Sequence, residues 1–363
     1  MFSTGGGAPR VGFRDGDEVV DLSGLGEAFR QPSLNPLLAQ GPAAWRAAVA
    51  AAQAHRGPRV PLPAATLHLP FEVADYVDFS SSLEHATNMG RLFRPDGESL
   101  LPNWRRLPVG YHGRAGSVAV SGTEVVRPHG QLKEPDAAEP VFAPTRRLDV
   151  ELELGFVVGV PSRPGEPVPA AAFADHVFGV VLVNDWSARD IQAWESAPLG
   201  PFLGKSFLTS ISAWVTPLSL LEPYRVEARP QEPPTLPHLA GGRDWALDLE
   251  LELELNGEVV SRGNARTLYW TMPQQLAHAT SNGARLRTGD LMASGTISGS
   301  ERGSEGSLIE LTRNGAEPLR LADGSERTFL EDGDEVVVRG RAGVLRLGEV
   351  RGRVLPAARP ERH

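Results

Sequence analysis

Short apolar runs, cut every few residues by glycine or proline, decide most of what this chain can fold into. With 39 glycines and 31 prolines in 363 residues, against about 12 % for the pair in average usage, long uninterrupted helices are disfavoured and strands, turns and loops take their place. Runs such as Ser117-Val-Ala-Val-Ser-Gly and Glu335-Val-Val-Val-Arg-Gly read as strands of a mainly β (α+β) protein built as a β-sandwich or β-roll. A turn at Asp15-Gly16 joins two short strands, Trp45 to His55 is an alanine-rich helix, and a proline-rich stretch runs from Pro58 to Pro70. The expected organisation is a small β-rich amino-terminal domain, 1–70, followed by the main body, 71–363. Further helices are expected at Pro169–His176, Ser187–Glu195 and Met272–Ala279, the last two capped by Ser187 and Thr271. The proline-rich segment Glu222–Gly242 reads as an exposed loop.

Several function classes drop out early. The chain has no cysteine, which removes disulfides, thiolate nucleophiles and cysteine-bound zinc. Its net charge of -9 disfavours nucleic acid and anionic membranes as partners, and no apolar run approaches the roughly 20 residues of a membrane span. The start, Met1 to Gly7, has no basic segment leading into an apolar one, so the expected location is the cytoplasm. Gly200-Pro-Phe-Leu-Gly-Lys205-Ser206 has three residues between its glycines where a phosphate-binding loop needs four, so no nucleotide site is expected. No Gly-x-Ser-x-Gly elbow occurs, and a serine hydrolase has little support.

Oxygen and nitrogen chemistry remains. In Asp149-Val-Glu-Leu-Glu-Leu-Gly, strand periodicity puts Glu151 and Glu153 on one face about 7 Å apart, with Val150, Leu152 and Leu154 on the other. Asp248, Glu250, Glu252 and Glu254 alternate with leucines in the same way but run into the surface turn Asn256-Gly257. Glu153 instead runs into Gly155-Phe-Val-Val-Gly-Val, apolar on both faces and so buried. Two carboxylates carried inward repel unless a cation lies between them; a cation site and a solvated face are both compatible with the residues alone. Asp185, at the end of Val177-Phe-Gly-Val-Val-Leu-Val-Asn-Asp, fits a helix-start residue. Arg189 and Gln192 share a helix face and suit a carboxylate or oxyanion, or Arg189 makes a surface ion pair. Lys205, one of two lysines against 34 arginines, sits among apolar residues where its ammonium is costly or functional. His85 lies in Asp78-Phe-Ser-Ser-Ser-Leu-Glu-His-Ala-Thr-Asn-Met-Gly90, a polar stretch that reads as a presenting loop, catalytic or structural.

These segments carry a resemblance. Asp78-Phe79, His85-Ala-Thr-Asn88, Pro102-Asn-Trp, Leu107-Pro-Val-Gly-Tyr-His-Gly-Arg114, Asn184-Asp-Trp-Ser-Ala-Arg-Asp-Ile-Gln192, Pro198-Leu-Gly-Pro-Phe-Leu-Gly-Lys-Ser206 and Ser294-Gly-Thr-Ile-Ser-Gly299, in order over nearly the whole chain, resemble the fumarylacetoacetase family. The match is closer to that family than to its shorter relatives, which hydrolyse acylpyruvates or decarboxylate oxaloacetate. The resemblance implies an SH3-like amino-terminal domain, a β-roll catalytic domain, a homodimer, and hydrolysis of a small diketo diacid, fumarylacetoacetate, to fumarate and acetoacetate in tyrosine and phenylalanine breakdown. It implies a hard divalent cation, Ca²⁺ or Mg²⁺, with no organic cofactor. The matching ligand positions are Asp78, Glu151, Glu153 and Asp185, with Lys205, Gly204 and Thr209 near a second cation. It also implies His85 as general base, Glu310 as its orienting carboxylate, and Arg189, Gln192 and Lys205 as the oxyanion set. Arg94, Tyr111 and Thr296 match substrate contacts. Ser80 stands where the family has a substrate-contacting tyrosine, which implies a roomier or wetter pocket. The chain begins directly before Phe2-Ser-Thr without the family's usual leader, so a shortened first strand is expected.

Overall fold

The computed structural model describes residues 1–358, so the last five positions of the expected 71–363 unit lie outside the described residues. Two large sheets form the main body. The first runs in the order Gly110–His112, Tyr76–Phe79, Leu291–Ala293, Leu152–Val158, Val177–Asp185, Thr209–Ile211, Val118–Val120. The second runs Glu258–Asn264, Glu250–Leu255, Glu335–Ala342, Val350–Leu355, Val125–Val126. Strand alternation explains how they meet. Leu152, Leu154, Phe156, Val180 and Leu182 of the first sheet share one core with Leu251, Leu253, Leu255, Val336, Val338 and Val350 of the second.

The opposite face of the first sheet packs on the amino-terminal residues. Val157, Val181, Val183, Ile211 and Leu291 join Val11, Leu22, Leu37, Leu38 and Trp45 in a second core. Within residues 1–70 the strands Gly12–Asp15, Glu18–Asp21 and Arg59–Pro61 form a three-stranded sheet, and the expected alanine-rich helix spans Pro42–Ala54. The turn that joins the first two strands falls at Gly16-Asp17, one residue beyond the expected place.

The two glutamate-bearing strands part as the sequence contrast predicts. Asn256 and Gly257 both take positive φ, the conformation a two-residue hairpin needs. Glu250, Glu252 and Glu254 stay partly exposed and pair with Arg341, Arg262 and Arg339. Glu151 and Glu153 are buried.

Other local expectations change. His85 sits in the first turn of a helix, Leu83–Phe93, not in a loop; Ser82 caps it by accepting from the His85 amide. Polar residues that read as loop are here a helix start with one face turned inward. The helix after Asp185 begins at Arg189, because Ser187 bridges to Asp149 as a strand residue and spends its hydroxyl on the Asp185 carbonyl. The expected Pro169–His176 helix is a 3₁₀ turn followed by one helical turn, Phe173–His176. Met272–Thr280 forms behind Thr271, whose amide donates to the Gln274 side chain. The segment Glu222–Gly242 is more than an exposed loop. Leu239 is fully buried, and Gln231 exchanges hydrogen bonds with Gln274. No helix among the described residues is long and apolar enough to cross a membrane.

Candidate active site

Three strands of the first sheet converge on a buried acidic centre. Asp78 sits near the end of the strand Tyr76–Phe79, Glu153 is the second residue of the strand Leu152–Val158 with Glu151 just before that strand, and Asp185 closes the strand Val177–Asp185. One carboxylate oxygen from each of these four residues lies within 4.8 Å of the others, and all four side chains are buried.

Two cations, Lys205 and Arg189, touch this cluster. Lys205 Nζ donates to Glu151 Oε2 at 2.6 Å and to Asp185 Oδ2 at 2.8 Å. Arg189 Nη1 donates to Glu151. Thr209 and Tyr111 hydroxyls also donate to Asp185, at 2.7 and 3.0 Å. Among the described residues, both oxygens of Glu153 and Oδ1 of Asp78 have no hydrogen-bonding partner. Burial, then the neighbouring carboxylates, push Asp78 and Glu153 well above the usual carboxylate range. For Glu151 burial acts in the same direction, but Lys205 and Arg189 outweigh it and hold the carboxyl below that range. Unpartnered buried carboxylate oxygens are rare because each forfeits its hydration. An oxygen-only donor set around them fits a hard divalent cation.

Beside this centre, His85 Nδ1 lies 2.7 Å from Glu310 Oε2. Glu310 is fully buried on the short helix Leu308–Leu311 and also accepts from Ser307 Oγ, Ser298 Oγ and Asn88 Nδ2. Burial alone raises a carboxyl; here His85, with Ser307 and Asn88, outweighs it and holds Glu310 at about 2. A carboxylate fixed on Nδ1 leaves Nε2 as the free ring nitrogen. Asn88 follows His85 by three residues on the same helix face, a partner visible in the sequence once that segment is read as a helix. Ser298, from the Ser294–Gly299 segment, and Ser307, the helix cap three residues before Glu310, flank that carboxylate, and no spacing rule marks Ser298.

Arg189 is buried, not a surface ion pair. Its Nε donates to Asp149 Oδ2 at 2.8 Å, Nη1 also approaches Gln192 Oε1 at 3.4 Å, and Nη2 is buried without a partner among the described residues. Asp149 escapes sequence reasoning because it reads as one more alternating acid. Burial pushes its carboxyl up, against the Arg189 charge. Gly204 lies against the Arg189 helix: a Cβ there would fall 2.8 Å from the Gln192 amide nitrogen, and the Gly204 and Phe202 amides donate to Glu195. The amides that a phosphate-binding loop would offer are thus engaged.

A cavity of about 200 Å³ opens beside His85, lined among others by Ser80, Met89, Arg94, Leu101 and Trp104. The Trp104 indole N–H donates to Ser80 Oγ, and Arg94 on the rim donates to the carbonyls of Glu98 and Ser99. Thr296 is buried, and its hydroxyl has no partner among the described residues. A larger cleft of about 990 Å³ between the amino-terminal residues and the second sheet carries none of the candidate site residues.

Known proteins share this chain's pattern. The family model for the fumarylacetoacetate (FAA) hydrolase C-terminal region matches residues 76–355. The human fumarylacetoacetase is 44 % identical over 398 aligned residues, covering 99 % of this chain and 95 % of the relative. Two solved structures share the fold: a fumarylacetoacetate hydrolase from psychrophilic Exiguobacterium antarcticum, with TM-score 0.60, 17 % identity and 97 % of each chain covered; and a Sphingobium maleylpyruvate hydrolase in complex with manganese(II) ion and pyruvate, with TM-score 0.56, 17 % identity, and 96 % of this chain and 97 % of that one covered. With the family match spanning most of its length and a relative of this identity covering nearly all of it, the chain belongs to the fumarylacetoacetate hydrolase family.

Proposed function

We propose that this protein hydrolyses a carbon–carbon bond of fumarylacetoacetate, giving fumarate and acetoacetate as the last step of tyrosine and phenylalanine breakdown. The observation that carries this reading is the Glu310-held His85 beside four buried carboxylates, two of them unpartnered, in a chain 44 % identical to human fumarylacetoacetase.

Asp78, Glu151, Glu153 and Asp185 would hold a divalent cation, Ca²⁺ or Mg²⁺, which when bound supplies positive charge for the oxygens of a diketone. His85 takes a proton from water through Nε2 as that water attacks the substrate carbonyl, and Glu310 steadies the imidazolium that forms. Arg189 Nη2, the Gln192 amide and the remaining Lys205 N–H face the developing alkoxide, where one such donor is typically worth about 2.7–4 kcal/mol of barrier. The carbon–carbon bond then breaks, fumarate carries the new carboxylate, and acetoacetate leaves as its carbon receives a proton. Arg94, Tyr111 and Thr296 hold the substrate's carboxylate and oxo groups, and Ser80, bonded to Trp104, lines the fumaryl end. Gly204 and Thr209, with Lys205, border a second cation.

We also read residues 1–70 as an SH3-like unit appended to the 71–363 catalytic unit, the location as cytoplasmic, and the assembly as a homodimer. Large exposed apolar side chains, among them Phe142, Trp194, Leu199 and Phe202, support the dimer. The test of function is direct. His85→Ala, folded, loses most turnover of fumarylacetoacetate, while faster turnover of acylpyruvates or oxaloacetate by the wild type would reassign the substrate.

A further inference from the structure

We infer that Asp149 is the positioning residue that locks the two catalytic flanks into one register: Arg189 on one side and the Glu310 helix, through it His85, on the other. It stands outside the four-carboxylate cluster. Its side chain is fully buried, and four donors converge on it. Oδ1 accepts from the Val150 and Leu308 amides, both at 2.8 Å; Oδ2 accepts from the Ile309 amide at 3.1 Å and from Arg189 Nε at 2.8 Å. Leu308 and Ile309 open the helix whose third residue is Glu310, so Asp149 supplies that helix with its missing acceptors. Arg189, held by the same carboxylate, aims its other nitrogens at Glu151, Gln192 and the unpartnered direction of Nη2. One rigid carboxylate therefore fixes both the donor that meets the oxyanion and the carboxylate that orients the base.

The chemistry of the site makes a sharp perturbation available. Asp149→Asn keeps the side chain's volume, but either orientation of the amide points an NH₂ at two N–H donors, so two bonds are lost whichever way it turns. This inference rests on the reading of His85 and Glu310 as the base pair, and His85→Ala run alongside separates the two: retained activity there removes the base, whatever Asp149 does.

The experiment compares wild type, Asp149→Asn and Leu255→Ala, the last a buried core truncation in the second sheet. Steady-state hydrolysis of fumarylacetoacetate and the Nδ1–H resonance of His85 in histidine-labelled protein are the readouts. Expected is a fall in kcat of about tenfold or more for Asp149→Asn with KM within about threefold, and a displaced resonance. Leu255→Ala keeps both while melting at lower temperature. A folded Asp149→Asn with kcat within about twofold of wild type and an unmoved resonance overturns the inference. If Asp149→Asn does not fold, Asp149→Ser is read by the same criteria. Failure of both to fold makes Asp149 a folding element and overturns the positioning role.

Discussion

Replacing Glu310 by glutamine keeps the side chain's shape and removes its charge. In the folded protein burial raises the carboxyl, yet His85, Ser307 and Asn88 together bring it to about 2, from an ordinary 4.5. That gap is worth about 3 kcal/mol, and the part owed to a charge-assisted bond with His85 is about 2–3 kcal/mol. The Glu310 carboxylate, 2.7 Å from Nδ1, faces the imidazolium formed when His85 takes a proton from water. Its loss should lower kcat by about 10²-fold. KM should change little, because Glu310 stands behind His85 and does not itself line the cavity, and cation affinity should be unchanged, because Glu310 lies outside the acidic cluster. Steady-state kinetics on Glu310→Gln, with the cation titrated in parallel, read all three quantities. A folded variant with kcat within about threefold of wild type would refute the reasoning, and so would a variant that loses its cation.

The same variant carries an acid signature. A carboxyl lower in the folded than in the unfolded chain contributes stability above pH 4.5 that is lost as pH falls toward 2. Between about pH 5 and pH 3.5 the wild type should therefore lose about 1 kcal/mol more than Glu310→Gln in urea unfolding, and parallel curves contradict this. Glu153→Gln should abolish tight divalent-cation binding while Glu252→Gln, on the ion-paired surface strand, leaves it intact; equal effects sink the contrast between the two strands. Thr296→Val removes a buried hydroxyl with no partner among the described residues, so the melting temperature should hold or rise while KM increases about fivefold or more. A clear drop in melting temperature shows that the hydroxyl is structural.

Much of this was legible where period and punctuation agree. The contrast between Glu151–Glu153 and Glu250–Glu254 follows from what comes after each strand, an apolar run or an Asn-Gly turn, and burial obeys it. The 83–93 helix was hidden because Ser80, Ser81 and Ser82 look like loop, although Ser82 is there to cap it. Arg189 had two readings because a guanidinium at a helix start looks the same from the sequence whether it faces water or Asp149. The decision comes from a strand forty residues away. Asn88 and Ser298 meet Glu310 only through tertiary contacts, across 222 and 12 residues, whereas Ser307, three residues before Glu310, is its local helix cap. The Glu222–Gly242 segment read as exposed because its prolines suggest a loop, while Gln231 and Leu239 are buried by side-chain contacts that composition does not reveal.

The central claim is that the buried carboxylates of Asp78, Glu151, Glu153 and Asp185 hold a divalent cation on which hydrolysis depends. The direct measurement strips the purified protein with chelator, quantifies Ca²⁺, Mg²⁺ and Mn²⁺ binding by calorimetry, and follows fumarylacetoacetate cleavage before and after readdition. Loss of activity on stripping, recovery on readdition and saturable binding that Glu153→Gln removes are predicted. Full turnover by protein carrying less than about one cation in ten chains would contradict it.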